Sequence, residues 1–295
     1  MVPDVLSAVR QAVPRLSATE ARIAQVVIDH PERVVDLTIS ELAAVCDSSQ
    51  ATIARFCQSI GFTGYREFRL AIAAATSREQ AARERFELTE SEVDPADSVQ
   101  EVVAKIAYQD ALAIEQTARE LDLDALDRVV AAIVGAGRID LYGVGSSSLT
   151  AQDLQQKLSR IGLTAFCSVD SHLALASAAL QKPGNVAIGF SHSGETLETT
   201  HALAVAHAAG ATTVAITNFP ESSIGRASDH VLTTQARESL YRSGAMSSRI
   251  AQLALVDFLF VRVAQQMYDQ MTESLRLTYE AVRSQRPVRP ERSER

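Results

Sequence analysis

The feature that most constrains this chain is a regular alternation of strand-length and helix-length segments that begins near Arg138. The strand-length segments are short and apolar, and they are Ile139–Tyr142, Thr164–Val169, Val186–Phe190, Thr213–Thr217 and His230–Thr233. The intervening segments have helical periodicity, and they are Leu149–Ile161, Leu173–Leu180, Thr196–Ala209 and Ile224–Ala227. Such alternation requires right-handed crossovers and produces a parallel sheet covered by helices on both faces. The second half is therefore predicted to be an α/β domain with a five-stranded parallel sheet.

The N-terminal part differs, because it contains short helical segments and no strand signal. An acidic, polar stretch at residues 84–97 has the composition of a linker. Helices are then predicted over residues 98–119, over Asp124–Val134 and, near the end, over about Ser247–Tyr268. The expected organisation is an all-α domain, a linker with a connecting helix, the α/β domain and a disordered tail, at residues 1–76, 77–120, 121–283 and 284–295.

Composition excludes several classes of protein. Of the 295 residues, 46% are hydrophobic and 22% are charged, which is the usual range for a globular protein. No run approaches the roughly 18 apolar residues of a membrane span, and the first residues lack the apolar core of a signal peptide. We therefore expect a cytoplasmic protein without membrane contact. The cysteines and histidines show no metal-ligand spacing, so no metal site is expected.

Residues 39–62 predict two short helices separated by a tight break. Ser40 and Ser49 are expected to cap the two helices, Asp47 and Ser48 form the break, and Gly61 ends the second helix. The polar side chains that face outward from the second helix are Gln50, Thr52, Arg55 and Ser59. A short helix that presents such groups after a tight turn suits insertion into a DNA major groove.

Charge supports a DNA-binding interpretation only locally. The formal net charge of −8 argues against binding DNA with the whole surface. From Ser49 to Arg85, however, six arginines stand against three glutamates, and phosphate contacts need such a local excess. A helical hairpin with a solvated face remains the alternative at this point.

Two strand-to-helix loops carry the chemistry of the α/β domain. Residues Gly143–Ser148 read GVGSSS after the first strand, and residues Ser191–Thr196 read SHSGET after the third. Each loop directs backbone N–H groups and a helix N-terminus toward one end of the sheet, which attracts an anion. If the strand order is the flavodoxin-like 2-1-3-4-5, both loops line the crevice in which such domains bind ligands.

Two nucleotide-binding interpretations of these loops fit less well. Gly143 and Gly145 begin a dinucleotide fingerprint and Asp170 follows the next strand, but Ser148 occupies the position of the third glycine. The chain has no G-K-[ST] sequence, which excludes a P-loop. Either loop alone would also fit a simple capped helix start, so the argument depends on the two loops together.

The helical segment resembles a known family. The sequences ELA, ATIARFC and GFTGYREF, between Leu16 and Leu70, are similar to the N-terminal domain of RpiR-type regulators. Where that pattern has Gly-Val, this chain has Asp47-Ser48; aspartate tolerates a left-handed turn, whereas Ser48 loses an apolar contact. The DNA-binding residues expected from the pattern and the resemblance are Ser49, Gln50, Thr52, Arg55, Ser59, Tyr65 and Arg66.

The two loops also carry a resemblance, because G-x-G-x-S and S-x-S-G-E-T are similar to the motifs of the sugar isomerase, or SIS, domain. In that family, the serines and the threonine hold the phosphate of a phosphosugar, and the resemblance covers about Leu121–Met267. The stretch 236–249 also resembles the end of the domain, and Glu238 is expected to reach sugar hydroxyls. The implied sugar-phosphate site comprises Ser146, Ser147, Ser191, His192, Ser193, Thr196 and Glu238.

Taken together, these features predict a transcription regulator, and family habit favours a repressor. Its binding to a double-stranded DNA operator would be controlled by a phosphorylated sugar, without a cofactor or catalytic residues. A palindromic operator needs two reading heads, so a homodimer or homotetramer is expected. One alternative is a phosphosugar isomerase or lyase with a helical appendage, and its candidate bases are Glu195, Glu238, His172 and His192. The other alternative is a binding protein that does not contact DNA. The helical domain favours the regulator, because a sensor needs no turnover.

Overall fold

The computed structural model describes residues 4–88, 90, 92–238 and 246–283. The chain divides into two compact units. A helical unit is built from Met1–Leu121, Asn218–Glu221 and Thr233–Ala251, and a sheet unit from Asp122–Thr217, Ser222–Leu232 and Gln252–Arg295. The tail expected to be disordered, residues 284–295, lies outside the described residues.

The helical unit contains no strand within residues 4–76, as predicted. Its helices are α1 Val5–Ala12, α2 Ala18–Asp29, α3 Pro31–Asp36, α4 Ile39–Val45, α5 Gln50–Ser59, α6 Tyr65–Arg85 and α7 Val99–Glu120. Apolar residues from α1 to α6 form one core, in which the ring of Phe68 meets those of Phe56 and Phe62 edge-on. The core fixes α4 and α5 against the other helices, since Leu42, Ile53 and Phe56 are fully buried.

The break between α4 and α5 is formed largely as predicted. Ser49 caps α5, because its Oγ accepts the N–H of Thr52, and Asp47 has the left-handed φ of 46°. The predicted cap of α4 is wrong: α4 begins two residues earlier, with Thr38 rather than Ser40 as its cap. Thr38 wins because Glu41, three residues on, completes a reciprocal capping box with it.

The chain after α5 is more helical than predicted from the sequence. Helix α6 continues to Arg85, so the boundary drawn at residue 76 falls inside it. It ends where Glu87 adopts a left-handed φ of 56°. Helix α7 begins after a capping box formed by Ser98 and Glu101.

Within the described residues, five strands form one sheet in the order β2-β1-β3-β4-β5. The strands are β1 Ile139–Gly143, β2 Ala165–Ser168, β3 Val186–Phe190, β4 Thr212–Thr217 and β5 His230–Thr233. The surrounding helices are α8 Leu123–Val134, α9 Ser146–Arg160, α10 Ser171–Ala179, α11 Leu197–Ala208 and α12 Ser223–Arg226. Strand β1 pairs in parallel with β2 and β3, and β3 pairs in parallel with β4. Strands β1 and β3 are therefore neighbours at the centre of the sheet.

The two faces of the sheet are packed differently. Tyr142, Ala187 and Ala215 lie on the face that packs against small residues of α10 and α11. The contact with α11 is close: a Cβ added to Gly189 would lie 3.1 Å from Leu203 Cδ2. Strands β1 and β3 are buried along their whole lengths, as expected for strands covered on both faces.

The C-terminal region differs in part from the prediction. The predicted long helix is α13, Met246–Gln266, and a further helix, α14 Tyr268–Arg283, follows it. Helix α14 was not predicted from the sequence. In the described ranges, no single helix has the length and apolar character to cross a membrane; α13 and part of α14 do so only as a pair bent by 108°. Much of α13 is core, since Leu255, Val256 and Leu259 are fully buried.

Candidate functional site

Helix α5 presents a polar surface on the side opposite the core. Gln50, Arg55 and Ser59 are exposed and Thr52 is half-buried, whereas Ile53, Phe56 and Cys57 face inward. The predicted division of the helix into an inner and an outer face is therefore confirmed.

Hydrogen bonds fix several of the outward side chains. Ser49 Oγ lies 2.9 Å from Thr52 Oγ1, and Arg55 Nη2 donates to the same Thr52 oxygen at 3.4 Å. Gln50 Nε2 donates to Ser40 Oγ at 2.8 Å. Ser59 Oγ donates to the carbonyl of Phe56. Hydrogen bonds within the helical unit therefore hold the polar side chains of α5 in place.

The two residues expected to bind DNA from the start of α6 differ in their surroundings. Tyr65 is half-buried, and its hydroxyl donates to the carbonyl of Leu37 at 2.8 Å. Burial raises the pKa of this phenol to about 12, so the group remains a donor. Arg66 is exposed. Tyr65 is thus engaged in holding α6 against the chain before α4, whereas Arg66 faces solvent.

Ser48 departs from the family pattern and has a polar group in an apolar place. Its Oγ is buried and has no hydrogen-bond partner within the part of the chain that the structure describes. The apolar contact expected to be lost at this turn is therefore replaced by an unsatisfied hydroxyl, which carries a desolvation cost.

The first loop of the sheet unit, between β1 and α9, depends on two glycines. A Cβ at Gly143 would lie 2.9 Å from the carbonyl oxygen of Ser147, so only glycine allows the backbone to turn this closely. Gly145 precedes α9 with a φ of 60°. Ser146 and Ser147, in the first turn of α9, are half-exposed. Ser147 Oγ accepts a hydrogen bond from Gln252 Nε2 at 3.4 Å.

The second loop, between β3 and α11, is organised around Ser191. Its side chain is 2% exposed, its Oγ accepts the N–H of Gly194 at 3.0 Å, and it lies 3.0 Å from Thr196 Oγ1. Ser193 is exposed, and its Oγ accepts the N–H of Glu195 at 3.2 Å. Ser191 therefore shapes the loop together with Thr196, whereas Ser193 is exposed to solvent.

The end of β4 and the start of α12 hold this loop from behind. Gly194 has a φ of 70°, and a Cβ there would lie 1.8 Å from Ser222 Oγ. Thr217 Oγ1 donates to the carbonyl of His192 at 3.2 Å. Three residues that contact the loops were not predicted from the sequence: Ser222, Thr217 and Gln252. They are distant along the chain from the loop residues and belong to no motif.

The four candidate bases lie in different surroundings. Glu195 accepts hydrogen bonds from the N–H and Oγ of Ser223, which lower the pKa of its carboxyl. A lowered pKa makes a carboxylate a weaker base. His172 is exposed on α10, and His192 is half-buried in the Ser191–Thr196 loop. Glu238 belongs to the helical unit; its Oε1 accepts the N–H of Ser248 at 2.7 Å, and its Oε2 is buried without a partner among the described residues.

The arrangement as a whole favours an anion. Since β1 and β3 are adjacent and parallel, the loops that follow them lie at one edge of the sheet, next to the N-termini of α9 and α11. Backbone N–H groups at two helix N-termini attract negative charge. Among the residues that the structure describes, no group of histidine, cysteine, aspartate and glutamate side chains could hold a metal ion.

Comparison with known families matches both halves of the chain. The family described as "Helix-turn-helix domain, rpiR family" matches residues 4–79, and the SIS domain family matches residues 132–262. An HTH-type transcriptional regulator of Caldanaerobacter subterraneus subsp. tengcongensis is 37% identical over 279 residues. This match covers 95% of the present chain and 97% of that protein.

One solved structure matches nearly the whole chain, and another matches a single domain. The NanR protein of Vibrio vulnificus, in complex with ManNAc-6P, is 28% identical with a TM-score of 0.61, and the match covers 96% of the present chain and 100% of that chain. The sugar isomerase domain of an RpiR transcription factor from Sphaerobacter thermophilus is 24% identical with a TM-score of 0.57. It covers 61% of the present chain and 98% of that chain, and it supports the fold alone.

Proposed function

The chain belongs to the RpiR family of transcriptional regulators, with a helix-turn-helix domain followed by a SIS domain, and from this premise we propose that it is a repressor released by a phosphorylated sugar. The sugar phosphate would bind at the Gly143–Ser148 and Ser191–Thr196 loops. The operator would be read by α5. The protein would act in the cytoplasm as a homodimer or homotetramer, since a palindromic operator requires two symmetry-related reading heads.

The observation that carries the ligand proposal is the pairing of the two loops on adjacent parallel strands. Ser147 lies in the first turn of α9, Thr196 is the N-cap residue of α11, and Ser193 is exposed in the loop before α11. The small side chains of these loops leave room for a phosphate. The similar NanR structure contains a sugar phosphate, which supports this ligand class. Ser146 and His192 are proposed to add contacts, Ser191 to shape the loop and Glu238 to bind sugar hydroxyls.

The DNA proposal rests on the surface of α5. Gln50, Arg55 and Ser59 are exposed on a helix whose other face is locked in the core. We assign base contacts to Gln50, Thr52 and Arg55, because amide and guanidinium groups match base edges in the major groove. Ser49, Ser59 and Arg66 are assigned phosphate contacts, and Tyr65 is assigned the support of α6.

A catalytic role is less well supported than a sensing role. An isomerase needs a base positioned near the sugar, and Glu195, the carboxylate within the loop, is instead committed to the first turn of α12. A regulator requires only binding and coupling. Such coupling is typically about 1–3 kcal/mol, or roughly 5–150-fold in operator affinity.

The ligand proposal is tested by thermal unfolding with fructose 6-phosphate, glucose 6-phosphate and N-acetylmannosamine 6-phosphate, beside inorganic phosphate, the free sugars and NAD. A ligand at about 100 times its Kd adds roughly 2.7 kcal/mol of stability. We expect a shift with one sugar phosphate, its loss in Ser193→Ala and no turnover. Ser159→Ala, an exposed serine at the far end of α9, is the matched control and should keep the shift. A shift with NAD, or none with any sugar phosphate, would overturn the proposal.

The DNA proposal is tested with duplexes that the purified protein selects from a random pool. Arg55→Ala should abolish enrichment of a consensus sequence, because it removes a base-reading guanidinium. Arg160→Ala, which removes an exposed arginine of the sheet unit, should select the same consensus as the unmodified protein. If Arg55→Ala also selects that consensus, α5 does not read the operator through this residue.

A further inference from the structure

A series of contacts begins at the Ser191–Thr196 loop and passes along the end of β4. Thr217, the last residue of β4, donates its Oγ1 proton to the carbonyl of His192 in the loop. The next residue, Asn218, belongs to the helical unit. The loop that we assign to the phosphate is therefore connected to the helical unit through the peptide bond between Thr217 and Asn218.

Asn218 is a buried junction inside the helical unit. Its Oδ1 accepts the N–H of Ala236 at 2.7 Å, and its carbonyl accepts a hydrogen bond from Gln11 Nε2 of α1 at 3.3 Å. Its side chain and backbone thus hold together helix α1 and the segment that leaves β5. The same segment is fixed a second time, because the N–H of Gln235 donates to Thr117 Oγ1 of α7 at 2.9 Å.

Arg237, which follows Ala236, connects this segment to α6. Its Nη1 and Nη2 donate to the two carboxylate oxygens of Glu79 at 3.1 and 3.3 Å, a two-point contact that fixes orientation as well as distance. Helix α6 begins at Tyr65, three residues after Phe62 of the helix-turn-helix core. A displacement of Arg237 is therefore passed to the helix that supports the DNA-reading elements.

Glu79 also offsets the repulsion between two positively charged arginines. Arg10 of α1 lies near Arg237, and burial, followed by the charge of Arg237, lowers the pKa of its guanidinium to about 9. Glu79 opposes that effect. Without the carboxylate, Asp4 and Glu120 would remain as anions near Arg10, but Arg237 would lose its two-point contact, so the position of the 234–238 segment depends on Glu79.

We propose that Asn218 and the Arg237–Glu79 pair are positioning residues that transmit sugar-phosphate binding to the helix-turn-helix. This inference rests on the proposed function. A phosphate bound by the loop displaces the His192 carbonyl and Thr217; Asn218 then shifts Ala236, and Arg237 moves Glu79 and α6. Such a chain of packed and hydrogen-bonded groups is a physical route for coupling, but its role requires a direct measurement of coupling.

The test measures operator affinity with and without the sugar phosphate that most raises the melting temperature of the unmodified protein. The operator is the duplex selected by the unmodified protein, and the ratio of the two affinities is the coupling factor. Glu79→Gln keeps the shape of the side chain and removes its charge. Glu273→Gln is the matched control, since Glu273 forms an ion pair with Arg276 within α14 of the sheet unit and lies outside the route.

In Glu79→Gln, we expect the coupling factor to fall from the roughly 5–150-fold range to below about 2-fold. The separate affinities for sugar phosphate and for free operator should each stay within about 3-fold, which a general loss of structure would not allow. Asn218→Ala should give the same result and decides the matter if Glu79→Gln does not fold. Normal coupling in both variants overturns the inference and leaves the proposed function intact, whereas no coupling in the unmodified protein overturns both.

Discussion

At the scale of single residues, Ser48 gives a direct stability prediction. Its buried, unpartnered hydroxyl stands where the family pattern has valine, so Ser48→Val should remove a desolvation cost and restore an apolar contact. We expect the free energy of unfolding to rise by about 1 kcal/mol, measured by thermal or urea unfolding. Ser77→Val, at an exposed position of α6, should change it by less than about 0.5 kcal/mol. A lower melting temperature for Ser48→Val would contradict the assignment.

A second residue predicts a pH dependence. Burial, and then the charge of Asp4, raise the pKa of Glu120 from 4.5 to about 7. The folded protein therefore binds more protons than the unfolded chain between these values, and this group's contribution makes stability fall as the pH rises from about 4.5 to about 7. Glu120→Gln should consequently raise the melting temperature more at pH 8 than at pH 5.

Melting temperatures of the two proteins across this pH range provide the measurement. Glu115→Gln, on the exposed side of the same helix, is expected to show no such difference between pH 5 and pH 8. An equal effect of Glu120→Gln at both pH values would show that the carboxyl is not desolvated.

At the scale of elements, Gly145 and Gly194, in the two loops proposed to bind the phosphate, separate backbone strain from steric overlap. Both have positive φ, but a Cβ at Gly145 would meet nothing within 4 Å, whereas one at Gly194 would overlap Ser222. Gly145→Ala should therefore cost about 1–2 kcal/mol for the left-handed conformation alone. Gly194→Ala should cost at least about 2 kcal/mol more and abolish the sugar-phosphate shift. Thermal unfolding with and without ligand measures both effects, and equal costs would contradict the steric overlap with Ser222.

The elements also show how far the sequence could be read. The strand positions followed from short apolar runs, and their observed ends lie within one residue of those predicted. Burial on both faces explains the clear signal of β1, β3 and β4, whereas β2 and β5 are partly exposed. Helix α14 was missed because polar and charged residues dominate its sequence and no side chain from Tyr268 to Ala281 is buried, whereas α13 is largely apolar. The loops were recognisable from their small residues. Gln252, which contacts Ser147 across 105 positions of sequence, could not be found, since no local pattern encodes a contact at that range.

At the scale of the whole molecule, the distribution of charge decides how an acidic protein can bind DNA. The net charge is −8, so binding must depend on the arginine-rich segment that begins at α5. Each phosphate contact releases condensed counterions and contributes about −0.9 to the slope of log affinity against log salt concentration. If Arg66, exposed at the start of α6, contacts one phosphate, Arg66→Ala should weaken binding to selected and random duplexes alike and make the slope shallower by about 1.

Affinity titrations on both duplexes at several salt concentrations measure this slope. Arg160→Ala is the control variant, because it also removes one positive charge but does so on the sheet unit. If the acidic bulk of the protein governed association, the two variants would lose the same affinity, because each removes one positive charge from the total. A local binding surface requires instead that only Arg66→Ala changes the slope. The comparison therefore distinguishes a protein that binds DNA through one patch from one whose overall field sets the interaction.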